Sequence, residues 1–133
     1  MIFGIGVDLI EVARIEAAYA RFGERFAQRI LGVRELERYH ARRARSDARG
    51  IAFLATRFAA KEAISKALGL GMRSPMAWRA VEIINDPSGR PLAFAQGELR
   101  AFMQRRRLRL HVSLTDERSM ATAYAIAEVE GMP

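Results

Sequence analysis

Two acidic side chains stand where a soluble fold has least use for them. Asp8 sits inside the apolar run Ile5-Gly6-Val7-Asp8-Leu9-Ile10, and a carboxylate in a strand interior loses hydration that a cation must replace. Glu62 falls on one helical stripe with Ile51, Ala55 and Phe58, within about 40° of each at 100° per residue. The same stretch carries Arg57, Lys61 and Lys66 on a circumference otherwise nearly all apolar. Three cations and one carboxylate so placed call for a ligand, a partner chain or a metal. The plainer alternatives are an Asp8 that faces water or caps the next helix, and a Glu62 that bridges to Lys66 one turn on. Taken together, two carboxylates with few other ligands suit magnesium, which keeps several waters and binds one or two carboxylates plus substrate phosphates. The neighbouring cations would then answer the remaining phosphate charge.

Other chemistries are poorly supplied. There is no Cys, and His40 and His111 stand far apart without the spacing of a zinc pair; each reads as a surface or core residue. Gly4-Ile5-Gly6 and Gly69-Leu70-Gly71 lack the third glycine of a dinucleotide loop, and no Walker A lysine motif exists. Arg14, Arg21 and Arg25 share one side of a helix, either as a solvated basic face or as a docking stripe for an acidic partner or a phosphate. Arg42-Arg43-Ala44-Arg45 and Arg105-Arg106-Arg107 allow the same two readings.

The elements that must position these residues follow from periodicity. Residues 2–9 form a short buried strand, and residues 12–31 switch to helical spacing, weakened or broken at Gly23. A charged helix covers 34–43, a connection 45–50, and a strong helix 51–68, stopped by Gly69 and Gly71. Strands at 80–84 and 91–94 flank the turn-forming residues 85–90. A helix at 96–106 precedes strands at 109–114 and 121–129 joined by a turn at 115–118. Helices early and antiparallel strands late predict an α+β fold, helices packed on one face of a mostly antiparallel sheet, in a single domain over 1–133.

Composition sets the partners. Twenty-two basic residues against fifteen acidic give +7, which attracts polyanions: nucleic acid, an anionic membrane face, a phosphorylated small molecule or an acidic protein. Aromatics are 8% and sit mostly at core spacing, so a base-stacking platform has little support. A basic nucleic-acid-binding module without enzymatic activity is nevertheless the second reading; it leaves both carboxylates unexplained. No apolar run reaches membrane-span length and no basic leader precedes residue 2, so the expectation is a cytoplasmic chain. Half the residues are hydrophobic, enough in so short a chain to suggest apolar surface buried between subunits.

Four ordered motifs resemble the small bacterial holo-(acyl-carrier-protein) synthases, which are 4′-phosphopantetheinyl transferases. They are Gly4-Ile5-Gly6-Val7-Asp8-Leu9-Ile10-Glu11-Val12-Ala13-Arg14-Ile15; Phe53 to Gly69 with Lys61-Glu62-Ala63 and Lys66 at its centre; Asn85-Asp86 with Gly89-Arg90-Pro91; and His111-Val112-Ser113-Leu114-Thr115. The resemblance implies transfer of the phosphopantetheine arm of coenzyme A to a serine of apo acyl carrier protein, with release of adenosine 3′,5′-bisphosphate. It implies magnesium held by Asp8 and Glu62, with Glu62 the candidate base, and phosphates held by Lys66 and Lys61. Phe53 and Arg57 would contact the nucleotide, and Arg14 and Arg21 the acidic carrier protein. It further implies a homotrimer with active sites between subunits, and no nucleic-acid or membrane partner. One departure stands out: many members have His where this chain has Asp116, so no role is transferred there.

Overall fold

The structure, a computed structural model, describes residues 1–131; Met132 and Pro133, the end of the expected domain, lie outside them. The first strand, β1 (Ile2–Glu11), runs into α1 (Val12–Phe22) and α2 (Glu24–Ile30). The break between these helices falls at Gly23, whose φ of 65° is the left-handed region that glycine enters without strain. Next come α3 (Val33–Arg45) and α4 (Asp47–Ala67), then the hairpin of β2 (Val81–Asn85) and β3 (Pro91–Ala95). The chain closes with α5 (Gly97–Arg106), β4 (Leu108–Glu117) and β5 (Met120–Val129).

Two antiparallel sheets result, one ordered β1-β5-β4 and one of β2 with β3. Helix α4 lies across the first. Ala121, Ala123, Ala125 and Ala127 of β5 face it, and Ala55, Ala59, Ala60, Ala63 and Ala67 of the helix are likewise buried. Thin side chains on both surfaces allow close approach. On β1 the approach is closer still: a Cβ on Gly6 would stand 1.9 Å from the Ala63 carbonyl oxygen, and one on Gly4 2.0 Å from that of Ala67. The expected α+β arrangement, with helices on one face of an antiparallel sheet, is what forms.

Among the described residues no helix covers the opposite face of this sheet. Alternation puts Ile5, Val7 and Leu9 there, with Tyr124 opposite Val7, all exposed; Leu9 is 63% so. These side chains form one exposed apolar strip across two neighbouring strands.

The first strand, expected buried over 2–9, runs to Glu11 and buries one face only, and two connections are shorter than expected. The connection expected at 45–50 is Ser46 alone, whose Oγ accepts from the Arg49 N–H and caps a helix already begun at Asp47. The turn expected at 115–118 tightens to Arg118 and Ser119, because pairing continues through Thr115↔Thr122 to Glu117↔Met120.

Candidate active site

Even-numbered residues of β1 face α4, which puts Asp8 on the helix side with Gly4 and Gly6. Asp8 is partly buried there and does not cap α1; the residue before that helix is Glu11, which makes no side-chain cap. Lys66 reaches across from α4. Its Nζ donates to the Val7 carbonyl at 2.9 Å and lies 3.5 Å from Asp8 Oδ1. Lys66 thus pairs with the strand and leaves Glu62 without the intrahelical bridge that local spacing allowed.

Glu62 is half-buried on the same side of α4, and its carboxylate accepts no hydrogen bond among the described residues. Burial pushes its carboxyl above the ordinary carboxylate range; the nearby charge of Asp8 adds to this and Lys66 opposes it. Two carboxylates from distant parts of the chain therefore face one region and repel each other there. A divalent cation would relieve that repulsion. Among the described residues no third His, Cys, Asp or Glu joins them, which fits magnesium, with coordination positions left for water and phosphate, and does not fit zinc.

Phe53 and Arg57 lie one turn apart in the N-terminal half of α4 and line a cleft of 740 Å³. Arg38, Arg42, Arg45 and Arg49 line it too. The guanidinium groups of Arg57 and Arg42 stand 4.0 and 4.7 Å from the Phe53 ring centre. Arg57 is held in place: Nε donates to the Ile83 carbonyl at 3.2 Å and Nη2 to Asn85 Oδ1 at 2.9 Å. Burial draws its pKa down to about 10, with Arg42 and Arg38 adding to the fall and Glu35 opposing it. Five arginines thus line one cleft and two of them stand over its aromatic ring, a lining whose charge and flat face are complementary to a polyanion that carries a ring. Asp116 lines the same cleft from the end of β4.

Sequence reasoning missed Arg38 and Arg49, and left Arg42 and Arg45 undecided. The signal was present: positions 38, 42 and 45 recur at four and three along α3, the spacing of one helix face.

Lys61 is a correction. The expectation gave it phosphate to hold, but it is 0% exposed. Its Nζ donates to the Ile30 carbonyl and to Glu35 Oε1, both at 2.6 Å, so its charge is satisfied inside the protein. Arg14 and Arg21 are exposed on α1, with Arg25 on α2. His40 contacts Glu24, and His111 Nε2 lies 3.0 Å from Glu128 Oε1; neither joins the Asp8–Glu62 region.

Known proteins resemble this chain over nearly its whole length. The family model of the 4′-phosphopantetheinyl transferase superfamily matches residues 4–127. The holo-(acyl-carrier-protein) synthase of Herminiimonas arsenicoxydans is 59% identical over 128 residues, 96% of this chain and 98% of that protein. The Bordetella pertussis protein of the same name is 56% identical over 132 residues, 99% of this chain and 86% of its own length. Among solved structures, the holo-(acyl-carrier-protein) synthase from Neisseria meningitidis superposes with a TM-score of 0.88 at 35% identity, covering 96% of this chain and 99% of that one. The Bacillus anthracis enzyme in complex with CoA (3′,5′-ADP) gives 0.80 at 32%, covering 98% and 99%.

Proposed function

Because the chain belongs to the 4′-phosphopantetheinyl transferase superfamily, we propose that Asp8 and Glu62 hold a magnesium ion at the centre of its active site. The enzyme transfers the phosphopantetheine arm of coenzyme A to apo acyl carrier protein. The observation that carries the metal assignment is the convergence of Asp8 from β1 and Glu62 from α4, with Lys66 between strand and helix. When bound, the ion supplies charge neutralisation at the pyrophosphate.

The chain's own residues do the rest. Phe53 and Arg57, in their arginine-lined cleft, take the adenine ring and the nucleotide phosphate. Lys66, half-exposed beside Asp8, holds the pyrophosphate as a point charge. The serine hydroxyl of the carrier attacks the phosphorus that bears the pantetheine arm. Its proton passes to Glu62, directly or through one water, and the bond to the departing adenosine 3′,5′-bisphosphate breaks. Arg14 and Arg21 offer exposed guanidinium groups to the acidic carrier.

The site is shared between subunits of a homotrimer on this reading. Arg57 and Glu62 are five residues apart, about 140° around the helix, and Phe53 and Glu62 about 180°. One chain's nucleotide cleft and its carboxylate pair thus face different ways, and a second chain can bring the two kinds of half-site together. The uncovered strip of Ile5, Val7 and Leu9 supplies the contact surface. Leu9→Asp, which sets a charge in that strip, is expected to convert trimers to single chains by light scattering and to lower transfer at least about tenfold. Trimers at full activity would remove this surface from the interface.

One catalytic domain and a cytoplasmic setting complete the proposal. The buried core runs from Ile10 to Ala127 without interruption, and a cysteine-free chain suits a reducing compartment. Among the described residues no helix is long and apolar enough to cross a membrane.

The test is direct. Mixed with coenzyme A, magnesium and apo acyl carrier protein, the protein is expected to add the mass of the arm to the carrier; chelation should stop the gain and added magnesium restore it. Undiminished transfer after metal removal would refute the ion, and no mass gain on any bacterial-type carrier would refute the substrate assignment.

A further inference from the structure

Three buried charges outside the reacting set are joined to one another and to both ends of the site. Lys61 and Glu35 are 0% exposed, and Glu82 is buried with them. Glu35 Oε1 accepts from Lys61 Nζ at 2.6 Å and from the Gly32 N–H at 2.9 Å; its Oε2 accepts from the Ile83 N–H at 2.9 Å. The carbonyl of the same Ile83 accepts from Arg57. Glu82, next along β2, accepts from the Arg34 N–H at 2.8 Å and from Gln96 Nε2 at 2.8 Å. The connected path runs from Glu62 through its sequence neighbour Lys61 to Glu35, then across Ile83 to Arg57.

We infer that Lys61 and Glu35 are a positioning pair that fixes the rotation of α4, and so holds the metal-binding and nucleotide-binding side chains in one register. The inference rests on the roles proposed above for Glu62 and Arg57. Its physical ground is the smoothness of the surface on which α4 lies. Alanines and glycines set how close helix and sheet come and offer few knobs there, and the larger buried side chains of the helix, Leu54 and Ile64, pack without directional bonds. A hydrogen-bonded ion pair in a dry interior is directional, and setting register is the best-attested use of such pairs. The leverage is large: a turn of roughly 10° moves a carboxylate ~6 Å from the axis by ~1 Å, and a displacement of that size costs about a hundredfold in rate. Because Ile83 is bonded on one side to Glu35 and on the other to Arg57, the edge of β2 moves with the pair.

The test is Glu35→Gln combined with Lys61→Met, which removes both charges and keeps an acceptor oxygen at position 35. At a temperature where the variant is folded by circular dichroism, kcat is expected to fall at least about tenfold. The KM for coenzyme A and the magnesium concentration for half-maximal rate should both rise several-fold. Parent values for all three in the folded variant would overturn the inference, since a pair that only stabilises the fold leaves them unmoved. If the double variant does not fold, Lys61→Arg serves instead: it keeps the charge opposite Glu35 but carries a longer, planar head. A tenfold loss of kcat in folded Lys61→Arg supports the inference, and parent kinetics overturn it. Glu62→Gln measured in parallel separates the failures. If Glu62→Gln turns over normally, the assignment of Glu62 falls and takes this inference with it; if it is inactive while the charge-free pair works at full rate, the inference alone falls.

Discussion

Glu62→Gln is expected to lower turnover about a thousandfold or more while leaving the fold intact. The amide has the shape of the carboxylate, so the packing of this half-buried position against its stripe is kept. What disappears is a negative charge that opposes the cation and a base that can take the serine proton. Stability should move the other way. The Glu62 carboxyl is held above its ordinary range, chiefly by burial and then by Asp8, so it binds its proton more tightly in the fold than in the unfolded chain. Such a group supports folding while protonated and ceases to do so as pH rises through its raised titration range. Without metal at neutral pH, the parent therefore carries an ionised Glu62 that works against the fold, and the variant does not. In chelator, Glu62→Gln should melt at or above the parent temperature at pH 7, with the gap closing as pH falls through the carboxylate range. More than about a tenth of parent turnover would be incompatible with either role for Glu62, and a variant that melts well below the parent would mean the carboxylate is a structural bond and not a strained ligand.

How far the sequence reveals this site depends on the distance over which each residue finds its partner. Asp8 is legible because the reason to notice it is local: a charge among apolar strand residues, on the same parity as two glycines. Glu62 is legible as an acid on an apolar stripe. Gly23 marks the break between α1 and α2 because a positive φ is a property of one residue. Lys61 is misread for the opposite reason. Its partner Glu35 lies 26 residues away, and nothing in the spacing of α4 distinguishes a cation turned to a phosphate from one turned to a buried acid. Glu35 is hidden in the same way, among charged neighbours that suggest solvent, whereas Glu82, between Val81 and Ile83, carries the same local signal as Asp8 and only its partners are remote. Gly50 shows how tertiary packing overrides propensity. It suggests a loop, yet it stands in the first turns of α4, where a Cβ would come within 2.9 Å of the Arg43 Cβ; the close crossing of α3 and α4 needs it. The arginine cleft needs two helices and the β2–β3 hairpin to exist at all, so its lining becomes visible only in the fold.

Gly6→Ala is expected to be the most damaging substitution of a single hydrogen for a methyl group in this chain. The added carbon would stand 1.9 Å from the Ala63 carbonyl oxygen and 2.9 Å from its carbon. Neither atom belongs to a flexible side chain that could swing aside, so strand or helix must move as a body. Overpacking of this kind commonly costs about 1–3 kcal/mol and more where backbone blocks relief, and the place is the centre of the contact between β1 and α4, with the buried Ala125 opposite Gly6 on β5. The expected result is a melting temperature lowered by roughly 10 °C or more for a chain of this size, with much of the expressed protein insoluble. The fraction that folds tests function as well. Ala63 follows Glu62, and Gly6 is two residues before Asp8 on the same face, so any separation that relieves the clash widens the gap between the two carboxylates. Folded Gly6→Ala should therefore require more magnesium for half-maximal rate and fall at least about tenfold in kcat, because displacements near 1 Å are costly at a reacting centre. A folded variant with parent stability and parent magnesium dependence would show that the closeness of Gly6 to Ala63 does not govern how the two acids meet.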